Sequence, residues 1–132
     1  VCRNLTEDMI RALADRGGVM GLNYCHDFLT ETDKPAALSA DTSIFMDAKK
    51  QIKKISRMED MVRHIKHIVN IGGIEVCGLG SDFDGINNSV EFGNASGVQQ
   101  LYEALVKSGF SEDDADKIFY KNVLRVYQDV LK

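Results

Sequence analysis

Two carboxylates follow directly on an apolar stretch of the chain. Residues 76–80 are apolar or glycine, and Ser-Asp-Phe-Asp-Gly occupies 81–85. This pattern is typical of a buried parallel strand that delivers an acid to the carboxyl end of a sheet, where the active sites of α/β folds lie. A carboxylate there can accept a proton and pass it to a leaving group, which makes Asp82 the main catalytic candidate. Asp84 fits better as a cap of the next turn.

The other groups that could do chemistry lack the spacing of a site. His64 and His67 can share a helix face, but no carboxylate or third histidine is spaced to complete a metal site with them. The three cysteines have no metal-ligand spacing, and their odd number argues against a disulfide framework. We therefore expect reduced thiols and a cytoplasmic location. Gly78 and Gly80 are not a nucleotide fingerprint, because no third glycine opens a helix.

The elements that must position Asp82 form two copies of one pattern. In the first copy, Thr6 caps a helix over residues 7–16 that has Met9 on its apolar face. A Gly-Gly pair ends this helix, since glycine accepts the left-handed conformation of a helix C-terminus. The nearly all-apolar run 19–24 follows, as expected of a buried parallel strand.

The second copy leads into the carboxylates. Ser56 and Glu59 have the spacing of a capping box, and a helix is predicted over 57–71. A second Gly-Gly pair precedes a strand predicted over 74–80. Because strands that alternate with helices form parallel sheets, the sequence predicts two neighbouring α/β units.

The remaining segments connect and close these units. The long segment 25–55 is either a functional loop or a surface insertion. Another loop is predicted at 86–95, then a helix over 97–107. The last helix, 111–131, opens with a Ser-x-x-Asp capping box and has a break near Tyr120.

Composition bounds the class of protein. The chain has 132 residues, 44% hydrophobic and 27% charged, with a formal net charge of −4, which suits one globular domain. The basic residues are scattered and form no stripe for nucleic acid. No apolar run approaches the roughly 20 residues of a membrane span. We therefore expect neither a nucleic-acid partner nor a membrane partner.

Two strands are too few for an independent sheet. Their edges would be open, and a complete (β/α)8 barrel takes about 250 residues. The chain is therefore predicted to be part of a larger barrel, or to borrow strands from a partner. Open edges also predict a homo-oligomer.

Four ordered motifs resemble the C-terminal part of the membrane dipeptidase family (renal dipeptidase, peptidase family M19). They are Arg-Asn-Leu-Thr at 3–6, Gly-Gly-Val-Met-Gly-Leu-Asn-Tyr at 17–24, Gly-Leu-Gly-Ser-Asp-Phe-Asp-Gly at 78–85 and Asn-Val-Leu-Arg-Val at 122–126. The resemblance implies an α/β fold, namely strands 7–8 and the following helices of a (β/α)8 TIM barrel of the metal-dependent hydrolase type. Residues 1–132 would be a C-terminal fragment of one such domain.

The resemblance also implies a reaction and site residues. The family hydrolyses dipeptides at a site with two zinc ions. Arg3 matches the arginine that binds the substrate carboxylate, and Asp82 matches the aspartate that faces the metal-bound water and the substrate. Tyr24 ends the first strand at the same face, where it lines the pocket or simply packs. His64 is expected to form a hydrogen bond where its helix contacts the barrel.

The family's metal ligands would all lie upstream of this chain. Its partners would then be a dipeptide and the missing N-terminal part of the barrel, and the isolated chain would be inactive. Two other interpretations remain open at the level of sequence. One is another amidohydrolase activity, such as a deacetylase or lactonase, and the other is a non-catalytic α/β interaction module.

Overall fold

The computed structural model describes residues 4–30, 55–87 and 89–131. Arg3 and most of the long segment 25–55 lie outside these residues. The α-helices are α1 (Glu7–Asp15), α2 (His26–Leu29), α3 (Met58–Gly72), α4 (Gln99–Lys107), α5 (Glu112–Asp116) and α6 (Asn122–Val130). The strands are β1 (Met20–Leu22), β2 (Ile55–Ser56), β3 (Cys77–Leu79) and β4 (Ser89–Val90). Among the described residues, no helix is long and apolar enough to cross a membrane.

The first predicted α/β unit is confirmed. The Thr6 hydroxyl accepts a hydrogen bond from the backbone N–H of Met9 at 3.3 Å and so caps α1. Gly17 follows the helix with a φ of 69°, which is the left-handed conformation that glycine adopts without strain. The side chain of Met9 is 55% exposed, so its predicted place on the buried face is wrong. Ile10 alone among the residues of α1 is fully buried.

The capping box predicted for the second helix is wrong, although the helix itself begins within one residue of the predicted position. Ser56 belongs to β2, is completely buried, and donates its hydroxyl hydrogen to the carbonyl of Tyr24 instead of capping α3. The Met58 N–H at the start of α3 donates to Oε2 of Glu91 at 2.7 Å. A carboxylate at this position is favourable because it also meets the positive end of the helix dipole.

The central feature of the fold is a parallel pair of strands, as predicted. β1 pairs with β3 in the register Met20↔Cys77, Gly21↔Gly78 and Leu22↔Leu79. The second strand is shorter than predicted, because Ile74–Val76 form a turn of 3-10 helix. The backbones lie so close that a Cβ atom on Gly21 would be 2.9 Å from Cα of Gly80. Glycine at these positions therefore allows the two strand ends to meet.

A second parallel pair was not predicted. β2 pairs with β4 in the register Ile55↔Ser89 and Ser56↔Val90. β4 lies within the segment 86–95, which the sequence indicated to be only a loop. Strands of two residues are too short to display the alternating pattern by which a strand is recognised.

The C-terminal helices follow the prediction closely. Ser111 and Asp114 form a capping box at the start of α5. The break predicted near Tyr120 is a π-helical segment, Lys117–Lys121, between α5 and α6. α4 is preceded by a turn of 3-10 helix, Ala95–Gly97, and so begins slightly later than predicted.

The core lies between the helices and the two strand pairs. The inner face of α3, formed by Met61, Ile65 and Ile68, is buried and packs with β1, β3 and α4. Fully or nearly fully buried apolar side chains include Leu22, Leu29, Met61, Ile65, Val76, Cys77, Leu101, Leu105 and Ile118. This core supports the strand ends from one side.

Candidate active site

The loop after β3 holds Asp82 in an unusual backbone conformation. Ser81 has a φ of 23° and Asp82 a φ of 68°, and these are the two non-glycine residues with positive φ among those described. The backbone N–H of Gly85 donates to the carbonyl of Asp82 at 3.0 Å, which closes a turn. Aspartate tolerates the left-handed region better than most residues, and such outliers concentrate at functional sites.

The end of β1 runs beside this loop. Backbone hydrogen bonds continue past the two strands, from Gly80 N–H to Leu22 O at 2.9 Å and from Tyr24 N–H to Ser81 O at 3.0 Å. These bonds bring Asn23 beside Asp82. The Asn23 side-chain amide donates from Nδ2 to Oδ2 of Asp82 at 3.0 Å. The two strands therefore share a polar contact at their carboxyl ends.

Asn23 is itself held by the backbone. Its Oδ1 accepts a hydrogen bond from the backbone N–H of Cys25 at 2.8 Å. The sequence drew no attention to Asn23, because a single asparagine at a strand end is a common loop signal. The signal that could have found it is the pairing of two parallel strands, which places the residues after them side by side.

Gly85 leaves the space that the Asp82 carboxylate occupies. A Cβ atom built on Gly85 would overlap Oδ1 of Asp82 and lie 3.1 Å from its Cγ. Asp82 is nevertheless exposed. Asp84, two residues further on, is exposed as well.

Tyr24 packs behind the loop. Its side chain is 1% exposed, and its ring meets Phe83 and Phe92 edge-to-face, with centroids 5.5 and 5.7 Å away. Burial raises the pKa of the Tyr24 phenol to about 12, so the group is neutral near pH 7. The Tyr24 ring is thus packed inside the protein, which is one of the two roles expected for it. A contact between Tyr24 and the substrate stays a prediction.

His64 forms the kind of hydrogen bond that was expected, with a different partner. Its Nε2 lies 2.9 Å from the carbonyl oxygen of Leu29, at the end of α2, rather than on a barrel strand. Burial lowers the pKa of His64, so the ring is neutral at pH 7 and donates through Nε2–H. His64 therefore fixes α2 on α3.

A cleft of 380 Å³ connects Asn23 with the segment before α1. Its walls include Asn4, Asn23 and Phe28, and Asn4 donates from Nδ2 to the carbonyl of Phe28 at 2.9 Å. Asn4 is the described residue next to Arg3, whose own position lies outside the described residues. The cleft therefore runs from the neighbour of Arg3 to the partner of Asp82.

The described residues do not form a metal centre. Across residues 4–30, 55–87 and 89–131, no three or more histidine, cysteine or acidic side chains are grouped so that they could hold an ion. The Asp82 carboxylate accepts a hydrogen bond from the NH₂ group of the Asn23 amide. An NH₂ group is a hydrogen-bond donor and does not bind cations. This donor set does not fit a zinc site.

Comparison with known proteins identifies the family. The family model for membrane dipeptidase (peptidase family M19) matches residues 1–132. An uncharacterized protein in the pqqA 5′ region of Klebsiella pneumoniae is 35% identical over 128 residues, which is 97% of this chain and 41% of that protein. Dipeptidase aclJ of Aspergillus oryzae is 28% identical over 97% of this chain and 26% of its own length.

A solved structure agrees with these matches. The crystal structure described as dipeptidase AC, a metallopeptidase of family M19, has a TM-score of 0.68 and 26% identity over 91% of this chain and 30% of that one. The chain thus spans less than half of each of these proteins. The predicted fold class is confirmed, since the chain has the mixed α/β fold of part of a TIM-barrel metallohydrolase. It belongs to the membrane dipeptidase family, peptidase family M19.

Proposed function

We propose that the protein to which this chain belongs hydrolyses the peptide bond of dipeptides. Membership of the family supports the reaction class. The observation that carries the proposal is the Asp82 carboxylate at the carboxyl end of β3, bound by Asn23 from the adjacent parallel strand. This is the edge of an α/β sheet at which catalytic groups collect.

Asp82 handles the proton in this proposal. Hydrolysis needs a base that takes a proton from the attacking water and an acid that gives one to the departing amine. One carboxylate can do both in turn. Asn23 binds Oδ2 of Asp82. The other oxygen, Oδ1, lies over Gly85, and we assign to it the uptake and release of the proton.

Arg3 selects the substrate. A guanidinium binds a carboxylate through two charge-assisted hydrogen bonds, so Arg3 would favour substrates with a free C-terminal carboxylate and make the enzyme an exopeptidase. The cleft that joins Asn4, the sequence neighbour of Arg3, to Asn23, the partner of Asp82, is the proposed substrate path. Tyr24 is buried outside the lining of this cleft, and its proposed part is to support the Asp82 loop from behind through its edge-to-face contacts with Phe83 and Phe92.

We further propose that the cofactor is two zinc ions bound by residues outside this chain. The metallopeptidase neighbour supports a metal, and the described residues offer no group that could hold one. On this basis the isolated chain is inactive and binds no zinc tightly. Elemental analysis that found two tightly held zinc ions per isolated chain would contradict this assignment.

The test is dipeptide hydrolysis by the full-length protein with and without zinc. Asp82→Asn keeps the size of the side chain and tolerates the left-handed backbone, and it should lower kcat roughly 10²- to 10⁴-fold. Arg3→Ala should mainly raise KM. Asp84→Asn, in the same loop, is the matched control and should keep wild-type kcat/KM.

Other outcomes would redirect the proposal. Unchanged kcat/KM in Asp82→Asn would remove Asp82 from the reaction. A wild-type protein that cleaves N-acetylated amino acids or lactones but no dipeptide would favour a deacetylase or lactonase. Absence of every hydrolytic activity would favour an interaction module. The cytoplasmic location expected from the cysteines is also a proposal, which fractionation of cells can test.

A further inference from the structure

We propose that Asn23 is a positioning residue for Asp82, whose side-chain amide holds the carboxylate in the orientation used for hydrolysis. This inference rests on the proposed function and deepens it. Asn23 and Asp82 are 59 residues apart in the chain, and the hydrogen bond between them joins the ends of β1 and β3. No sequence motif that pointed to Asp82 required a partner at this position.

The orientation of the Asn23 amide is fixed by its two neighbours. The Cys25 backbone N–H can only donate, so the oxygen of the amide must face it, at 2.8 Å. An ionised Asp82 can only accept, so the NH₂ group must face the carboxylate, at 3.0 Å. A flipped amide would place donor against donor and acceptor against acceptor. The backbone of the strand end therefore dictates which atom Asn23 presents to Asp82.

Asp82 needs such a partner because, within the part of the chain that the structure describes, little else restrains its side chain. The carboxylate is exposed, and Gly85, the residue over which it lies, has no side chain. An exposed carboxylate samples several rotamers, and each unproductive one lowers the fraction of enzyme that is ready to react. The amide of Asn23 removes this freedom before the substrate arrives.

Asn23→Asp separates this role from a structural one. The carboxylate introduced by this substitution would still accept from the Cys25 N–H, so the turn after β1 is kept, but it offers an oxygen to Asp82 instead of a donor. Asn94→Asp is a matched control, because Asn94 Oδ1 also accepts from a backbone N–H two residues ahead, that of Ser96, at 3.0 Å. The control makes the same chemical change without touching Asp82.

In the full-length enzyme, Asn23→Asp should lower kcat and kcat/KM by the same factor, roughly 10- to 100-fold, as expected when a reacting group is misaligned. Asn94→Asp should match wild type. The double variant Asn23→Asp with Asp82→Asn restores a donor–acceptor pair in the reverse sense. It should recover the urea midpoint of the wild type but not its activity.

A second measurement does not depend on turnover. In ¹⁵N-labelled protein, the side-chain amide resonance of Asn23 should move when Asp82 is replaced by Asn, whereas that of Asn94 should stay in place. The positioning role is wrong if wild type hydrolyses dipeptides and Asn23→Asp retains the wild-type kcat. It is also wrong if the Asn23 resonance does not move when Asp82 is replaced. In either case the proposed function stands. If wild type hydrolyses no dipeptide, both the proposed function and the positioning role of Asn23 are wrong.

Discussion

At the level of single residues, Asp82 and Asp84 differ in how they are held. Both carboxylates are exposed and both follow the same strand. Asp82 alone of the two has a positive φ and accepts a hydrogen bond from the neighbouring strand end. A defined direction is what a proton-transfer group needs, so the structure supports the sequence argument for Asp82 with a physical distinction that the sequence could not make.

Gly85→Ala should impair the reaction without unfolding the protein. The added Cβ would overlap the end of the Asp82 side chain rather than backbone, so the carboxylate can rotate away at small cost. The φ of Gly85 is not positive, so alanine fits its backbone. We expect kcat to fall roughly 10- to 100-fold, the loss typical of a misplaced reacting group.

Steady-state kinetics on the full-length enzyme, with a urea titration beside them, would measure this effect. Asp84→Ala is the control, since it alters the same turn without touching the carboxylate. An active Gly85→Ala enzyme would mean that the observed orientation of Asp82 is not the one used in hydrolysis.

At the level of elements, the π-helical segment places a buried asparagine under the central strands. Asn122 is the first residue of α6 and is 1% exposed. Its Nδ2 donates to the carbonyls of Ile74 at 2.7 Å and Cys77 at 2.8 Å. These two carbonyls lie in the 3-10 turn and at the start of β3, so Asn122 joins the last helix to the strand that carries Asp82.

Asn122→Ala should therefore destabilise the protein. It takes the side-chain donor from both carbonyls, although the Ile74 carbonyl keeps the backbone N–H of Cys77. Because an unsatisfied buried group costs about 1–3 kcal/mol, we expect a loss of roughly 1–3 kcal/mol. Urea denaturation measures the free energy of unfolding. Asn70→Ala is the matched control, because Asn70 is exposed on α3 and alanine is the better helix former. A loss in Asn122→Ala no larger than that of the control would contradict the assigned role.

At the level of the whole molecule, the described residues form two separate pairs of strands rather than one closed sheet. Apolar side chains are also exposed near the C-terminus, with Leu124 at 47% and Tyr127 at 58% on the same face of α6. Open strand edges and an apolar helix face both favour association. The proposed homo-oligomer follows from these two features.

The isolated chain should therefore associate in a concentration-dependent way. Sedimentation velocity from low to high micromolar concentration would detect the change. Leu124→Glu together with Tyr127→Glu should shift the distribution toward monomer, because each places a charge on the apolar face. Glu substitutions at the exposed polar residues Asn70 and Gln128 serve as the control pair. A monomer at every concentration would contradict the proposal.

Local patterns in the sequence were sufficient for most of the elements. The Thr6 cap, the Ser111–Asp114 capping box, the parallel pairing of β1 with β3 and the break near Tyr120 all rest on residues close together in the chain or on regular alternation of elements. The interactions that govern them act over a few residues or follow from that alternation, so a single sequence displays them. The position of Asp82 at the end of β3 belongs to this group.

What only the tertiary structure decided depends on residues far apart in the chain. Ser56 donates to the backbone of Tyr24, Glu91 meets the start of α3, and Asn23 binds Asp82. Side chains of these types commonly bind groups close to them in the chain, and packing of the strands and helices brings the distant partner within reach. The sequence by itself determined which carboxylate lies at the strand end, and the fold decided what holds it.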